Sequence, residues 1–337
     1  MPKTGVLLVN LGTPDDAKLG PVRRYLFQFL NDPRVIDLPW LARKILVNLI
    51  IVPFRAFGST KIYKELWTDQ GSPLIIYGES NREELQKRLG DDYGVHLAMR
   101  YQNPSMKKVL GEMRLQNYKK IIIIPLFPHY ASASSGSAME RALKIISKWW
   151  VIPEIAMVSQ FWDHPKFIDA FVARGKQYKI EEYEHVLFSY HGLPERHVNK
   201  VYDDGIPCKD HDCETEINEE NKFCYKATCY ATTRLLAERL NIPEEKYTVA
   251  FQSRLDKKWL EPFSDEIVEE RAKKGEKKLL AFSPAFVADC LETTVEIGVE
   301  YQEIYEEHGG EKVQLVESLN DHPLWVDCLE DMVRERS

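Results

Sequence analysis

Eight short runs rich in valine, isoleucine and leucine recur along this chain with no polar alternation inside them, at 5–11, 95–101, 121–127, 155–161, 186–191, 247–253, 279–282 and 313–316. A strand with one face in water alternates apolar and polar side chains; a strand covered on both faces does not. Helix-period stretches separate the runs, at 81–89, 105–115, 137–150, 167–179, 231–240, 265–274 and 291–307. That order predicts an α/β fold of parallel sheets covered by helices. With 337 residues, 44% of them hydrophobic, the chain suits about two cores rather than one.

The two halves echo each other. VLLVNLGTP at 6–14 matches VLFSYHGLP at 186–194 in its apolar positions, its glycine and its proline, with Leu11 in the place of His191. IPLF at 124–127 likewise echoes SPAF at 283–286. The repeat predicts two similar α/β domains, 1–153 and 154–337, with a cleft between their strand ends. A last helix over 322–334 is expected to pack back on the first domain.

His191 closes an apolar run and is followed at once by Gly192 and Pro194. Glycine permits a tight turn and proline cannot continue a ladder, so the imidazole is placed at the carboxyl end of a strand. Ligands of open α/β sheets bind at such ends. Taken alone, a structural histidine explains the segment as well.

A second pattern lies downstream, where Glu292, Glu296 and Glu300 follow one another at a spacing of four. Such acids share one helix face and repel, so solvent, a cation or a proton must offset them. A solvated acidic face is the plain reading. The apolar residues Phe286, Val287, Ala288 and Leu291 before the row suggest instead carboxylates leading from a buried pocket to water, suited to carrying divalent ions inward or protons outward.

The polar segment at about 200–230 holds Cys208, Cys213, Cys224 and Cys229 in the pattern C-x4-C-x10-C-x4-C. Clustering this local points to a bound metal centre, with zinc, His211 as a substitute ligand, and an iron–sulfur cluster both open. Cys290 and Cys328 fall outside and read as ordinary buried thiols. The net charge of -7 argues against nucleic acid as a partner and suits a cationic ligand. No signal-peptide pattern opens the chain, so a reducing cytoplasmic setting is expected. The segment 38–57, LPWLARKILVNLIIVPFRAF, is expected to fall short of a membrane span. Three readings stand beside each other: a core-facing helix, the apolar lip of a pocket, or a peripheral membrane contact.

Taken together, these motifs resemble the ferrochelatases, which insert ferrous iron into a porphyrin. The likeness runs the length of the chain. It rests on VLLVNLGTP, the Arg100 and Tyr101 pair, PLFPHYASASSGS at 125–137, LFSYHGLPERH at 187–197, FQSR at 251–254 with Trp259 beyond it, and SPAFVADCLETTVEIGVEY at 283–301. The resemblance implies two Rossmann-like domains flanking a porphyrin cleft, with His191 and Glu292 as the catalytic pair that handles Fe2+ and pyrrole protons. It further implies Arg100, Tyr101, Tyr130 and Trp259 as porphyrin contacts and Glu296 and Glu300 as a proton or metal path. The internal cysteines match a bacterial subgroup carrying a [2Fe–2S] cluster, which makes Cys208, Cys213, Cys224 and Cys229 its expected ligands, with Zn2+ the alternative. One departure stands out: Cys290 occupies a place where several family members have a histidine. Two other functions compete, a non-catalytic haem or porphyrin carrier with His191 as axial ligand, and a hydrolase using Cys290 and His191. The acidic row argues against the first. The acids beside Cys290 argue against the second, because they raise a thiol's pKa.

Overall fold

The computed structural model describes residues 2–337. The chain forms two compact units, one comprising residues up to Phe127 together with Ala131–Gln160 and Val326–Ser337, the other Pro128–Tyr130 and Phe161–Trp325. Each is built on a four-stranded, all-parallel sheet.

In the first unit the strands are β1 (Thr4–Asn10), β2 (Tyr93–Met99), β3 (Lys120–Pro125) and β4 (Glu154–Met157), in the order β2-β1-β3-β4. In the second they are β5 (His185–His191), β6 (Tyr247–Gln252), β7 (Lys278–Phe282) and β8 (Lys312–Leu315), in the order β6-β5-β7-β8. The two orders are the same, so the faint repeat between 6–14 and 186–194 corresponds to β1 and β5 holding the same place in each sheet. Val6 to Val9 and Val186 to Phe188 have almost no exposed surface, as expected of strands covered on both faces.

One boundary differs from the sequence reading. The run at 155–161 was expected to open the second domain, yet β4 pairs with β3, Ile121 opposite Ile155. A short edge strand reads alike for either sheet. Only its register with Ile121–Ile123 assigns it to the first, and the chain changes unit after Gln160 rather than near 153. The terminal helix Pro323–Arg334 places Val326 onward in the first unit, where Arg88 pairs with Asp327 and the Lys120 amine donates to the Arg336 carbonyl at 2.6 Å.

From Trp40 on, the segment 38–57 belongs to one continuous helical stretch, Trp40–Leu66, within which Leu46–Ile51 is π-wound. By length and composition alone this stretch reaches the size needed to cross a membrane, unlike the shorter span expected from sequence. Val47, Val52, Ala56, Tyr63 and Leu66 are buried on one side, and Asn31 donates to Asn48 at 2.8 Å. Trp40, Leu41, Leu49, Phe54 and Phe57 are left more than 60% exposed. Such a density of exposed large apolar side chains on one helix marks a contact surface rather than an ordinary core helix.

Candidate active site

Strand β5 delivers His191 at its carboxyl end, half-buried, opposite Gln252 of β6. The ladder continues one residue further, because the Gly192 amide donates to the Gln252 carbonyl at 2.8 Å. A Cβ at position 192 would lie 2.7 Å from that carbonyl oxygen and 3.3 Å from the Trp259 ring, so only glycine allows the approach. Beyond it the loops after β5 and β6 are stitched together: the Leu260 amide donates to Leu193, the Glu195 amide to Lys258, and Pro194 bridges Trp259. This stitching brings Trp259 to the histidine. The His191 ring has Trp259 at 6.4 Å on one flank and Phe286 at 6.3 Å on another.

His191 Nδ1 lies 2.6 Å from the Gly192 carbonyl oxygen. A carbonyl can only accept, so Nδ1 carries the proton, and Nε2 of the neutral ring keeps its lone pair. A strand-end histidine is thereby set as a base or a metal ligand through Nε2.

The acidic row starts just after Cys290. Residues Leu291–Glu300 are wound as a π-helix rather than the expected α-helix, and Tyr301–Glu307 continues in ordinary α form. Threonine, valine, isoleucine and glycine dominate LETTVEIGV, and all are weak α-helix formers, which lets tertiary bonds choose the wider winding. Glu292 and Glu296 are half-buried and Glu300 is exposed, so the row does lead from protein to solvent.

Gln252 ties the row to the histidine. Its Nε2 donates to the Glu292 carbonyl at 2.7 Å and to Glu296 Oε2 at 2.9 Å, while its Oε1 accepts from Ser189 Oγ at 2.7 Å. Glu296 also accepts from the Ser253 amide and hydroxyl and from the Tyr301 hydroxyl. Four donors on one carboxylate make it an anchor between the end of β6 and the π-wound helix. From the sequence Glu296 is expected only on a path, and Gln252 within FQSR has no role. The signal for Gln252 was a polar residue ending a buried strand, and it is 1% exposed.

Cys290, a rival nucleophile, is held as a neutral thiol. Burial pushes its pKa well up, and Glu292 beside it pushes in the same direction.

Of the other expected contacts, Tyr101 is withdrawn into a core, whereas Arg100 and Tyr130 are only partly buried. Tyr101 is 1% exposed, with its hydroxyl on Asp32 at 2.9 Å, so its ring belongs to the core of the first unit and offers no wall to a ligand. Burial, with a smaller push from the Asp32 carboxylate, drives its phenol far above the ordinary range. Arg100 pairs with buried Asp32, donates to Ser137 Oγ at 2.7 Å and lies over the Tyr101 ring, so much of its hydrogen-bonding capacity is spent inside the protein. Asp32, which nothing in the sequence singled out, organises this cluster by also accepting from Ser137 at 2.6 Å. Tyr130 is half-buried and packs edge-on against Phe223 of the cysteine segment at 5.8 Å.

Three of the four expected metal-binding cysteines converge. The sulfurs of Cys208, Cys213 and Cys224 are separated by 3.4, 3.5 and 3.7 Å, and all three residues are buried. Hydrogen bonds from Cys208 and then Cys213 hold the Cys224 thiol far below its ordinary value. Neither Cys229 nor His211 joins the group of donor atoms lying within 4.8 Å of one another. The helix expected at 231–240 starts six residues earlier, at Tyr225, with Cys224 as its N-cap. Cys229 is thus held inside the helix, fully buried beside Tyr225, rather than on a free loop.

The ferrochelatase family model matches residues 3–337. The chain belongs to the ferrochelatase family. Its similarity to ferrochelatases is continuous: 44% identity to that of Legionella pneumophila (strain Lens) over 99% of both chains, and 42% to that of Coxiella burnetii (strain CbuK_Q154) over 99% of this chain and 94% of that one. Among solved structures, SirB from Bacillus subtilis with Fe3+ matches with a TM-score of 0.56 at 12% identity, covering 99% of this chain and 95% of the other. CbiX, the terminal enzyme for biosynthesis of siroheme in denitrifying bacteria, matches with 0.51 at 10%, covering 99% of each. At such identities these two structures speak to the fold, a chelatase-like pair of parallel α/β units.

Proposed function

We propose that this member of the ferrochelatase family inserts Fe2+ into a porphyrin and releases two protons, as the last stage of making a haem. The observation that carries the reading is Gln252, which pairs with His191 through the backbone and holds Glu292 and Glu296 through its side chain. The strand that ends in His191 and the helix that carries Glu292 and Glu296 are therefore tied to one residue.

Insertion requires that a hydrated cation lose water and that two pyrrole N–H protons leave. His191 Nε2, with its lone pair set by the Nδ1 bond, accepts a pyrrole proton or offers nitrogen to the iron. Glu292 takes the other role, and its carboxylate is a hard oxygen ligand suited to a divalent ion in transit. Protons leave along Glu296 and Glu300, toward increasing exposure. Trp259 and Phe286 flank the imidazole and supply apolar contact to a macrocycle, with which ring distortion can be offset. Arg100, fixed by Asp32, keeps its remaining guanidinium capacity for a propionate, and Tyr130 is a contact through its half-buried face.

A porphyrin with Fe2+ or Zn2+ under anaerobic conditions tests the reading through the Soret band. Repeated turnover that disappears in Glu292→Gln supports it. A single stoichiometric shift, unchanged in that variant, would make the protein a carrier.

The cysteine segment holds a resident metal centre in this proposal. The donor chemistry fits: three buried sulfurs lie about one tetrahedral edge apart, as around a metal with bonds of about 2.3 Å. A [2Fe–2S] cluster on Cys208, Cys213, Cys224 and Cys229 is what the family subgroup supports, and it needs Cys229 as the fourth ligand. Zn2+ is what the compact sulfur triangle favours. Metal analysis and visible absorption separate the two. Such a centre would supply local cross-linking or iron and redox sensing. The exposed apolar face of Trp40–Leu66 is read as a peripheral contact with lipid in a cytoplasmic protein, where porphyrins partition, and vesicle co-sedimentation tests it.

A further inference from the structure

The segment that carries the thiols also carries an aromatic pair that the metal reading leaves unexplained. The Tyr202 hydroxyl lies 2.8 Å from Cys213 Sγ. The Tyr202 ring stacks on the His211 imidazole with centroids 3.9 Å apart and planes within 8°. His211 Nε2 in turn lies 3.3 Å from Asp204 Oδ2. Tyr202 is 8% exposed and the His211 side chain 12%, within a segment whose other residues between the cysteines are mostly at the surface.

A phenol beside a thiol has two chemical uses. A metal-bound thiolate is an acceptor only, so a hydroxyl at hydrogen-bond distance must donate to it, drawing electron density from the sulfur and fixing its orientation. A stacked pair of flat rings also keeps water off the sulfurs, and solvent access governs both exchange and potential at such centres. His211 sits between Cys208 and Cys213 in sequence but outside the sulfur group. Its stacking and its contact with Asp204 give it a place without making it a ligand.

Resting on the reading that these thiols hold a metal, we propose that Tyr202 is the hydrogen-bond donor to the ligating Cys213 sulfur, and that the Tyr202–His211 stack is the shutter between the centre and solvent. Both are positioning residues. They act on the metal through Cys213 and do not bind it.

The test uses the full-length protein, as isolated and after anaerobic loading with Co2+, whose sulfur-to-cobalt absorption reports the ligand set. Metal content per chain, that absorption band and the rate of metal release to excess chelator are the readouts. Tyr202→Phe should keep the wild-type metal content, shift the band and release metal about tenfold faster, the usual scale for losing a group that orients a ligand. His211→Ala should release faster as well, and His211→Phe, which keeps a ring in the stack, should restore most of the slow release. Should Tyr202→Phe not fold, the His211 pair still decides whether the stack is a shutter. An unchanged band and release rate in Tyr202→Phe, or equal rates in the two His211 variants, would overturn the proposal. So would complete loss of metal from Tyr202→Phe, since the phenol would then be a ligand. A wild-type chain that takes up neither iron, zinc nor Co2+ would instead remove the metal centre itself, an outcome visible before any variant is made.

Discussion

Replacing Gln252 with leucine removes the hydrogen bonds that join the histidine strand to the acidic helix while keeping the side-chain volume nearly constant. The buried amide makes three close side-chain bonds, to the Glu292 carbonyl, the Glu296 carboxylate and the Ser189 hydroxyl. Ser189 keeps Ser264 as a partner at 2.8 Å, and Glu296 keeps Ser253 and Tyr301. The uncompensated losses are thus the Glu292 carbonyl, at about 1–2 kcal/mol, and one charge-assisted bond to Glu296 of similar size, giving about 3 kcal/mol. For a unit of this size about 3 kcal/mol corresponds to a fall in melting temperature of roughly 6–12 °C. Chelatase turnover should fall by at least about tenfold, because the start of the π-wound helix loses its tether and misplacement near 1 Å is costly. Calorimetry and Soret-band kinetics on the same preparation measure both. A variant that loses less than about 1 kcal/mol, or that melts early with full turnover, would refute the view that Gln252 holds the site together.

Further outcomes follow from the same geometry. Glu292→Gln should lower turnover by about 100-fold or more while leaving porphyrin binding, read by tryptophan fluorescence, within a few-fold of wild type. Gly192→Ala should destabilise by about 1–3 kcal/mol in urea titrations, since its methyl group meets the Gln252 carbonyl. Burial holds His129 down to about 3 and His185 down to about 4, so the unfolded chain takes up protons below about pH 6.5 that the folded chain refuses. Their contribution to stability is therefore complete above about pH 6.5 and declines as the pH falls toward 4 for His185 and 3 for His129, with about 1.4 kcal/mol per pH unit from each histidine as an upper bound. His185→Asn should flatten that slope, and an identical slope in the variant would count against it. Cys224→Ser should abolish resident metal by elemental analysis, whereas Cys328→Ser should leave it intact.

How much of this was legible beforehand differs by element. Strands β1 and β3 were plain because their uninterrupted Val, Ile and Leu suit a doubly covered sheet, while β2 and β5 were found from shorter apolar runs broken by His96 and Ser189. β4 was seen but assigned to the wrong sheet, since four residues at an edge carry no record of their partner. His191 was legible from Gly192 and Pro194, which end a strand for steric reasons. The winding of 291–300 was not, because the four-residue spacing of its acids suits either helix, and the deciding bonds come from Gln252 and Ser253 some forty residues away. Tyr101 shows the same limit: its place in a motif was visible, but not that Asp32, nearly seventy residues earlier, draws its hydroxyl into the core.

The division of the chain into units carries a consequence for how it is made. The polypeptide passes between them after Phe127, Tyr130, Gln160 and Trp325, so the second unit has all its residues once position 325 has been synthesised. The first does not. Val326, Cys328, Leu329, Met332 and Val333 lie at 1% exposure or less, and a ribosome delivers them three hundred residues after β1. A nascent chain therefore finishes its carboxyl half before its amino half, and a premature stop near codon 325 would injure the portion translated first.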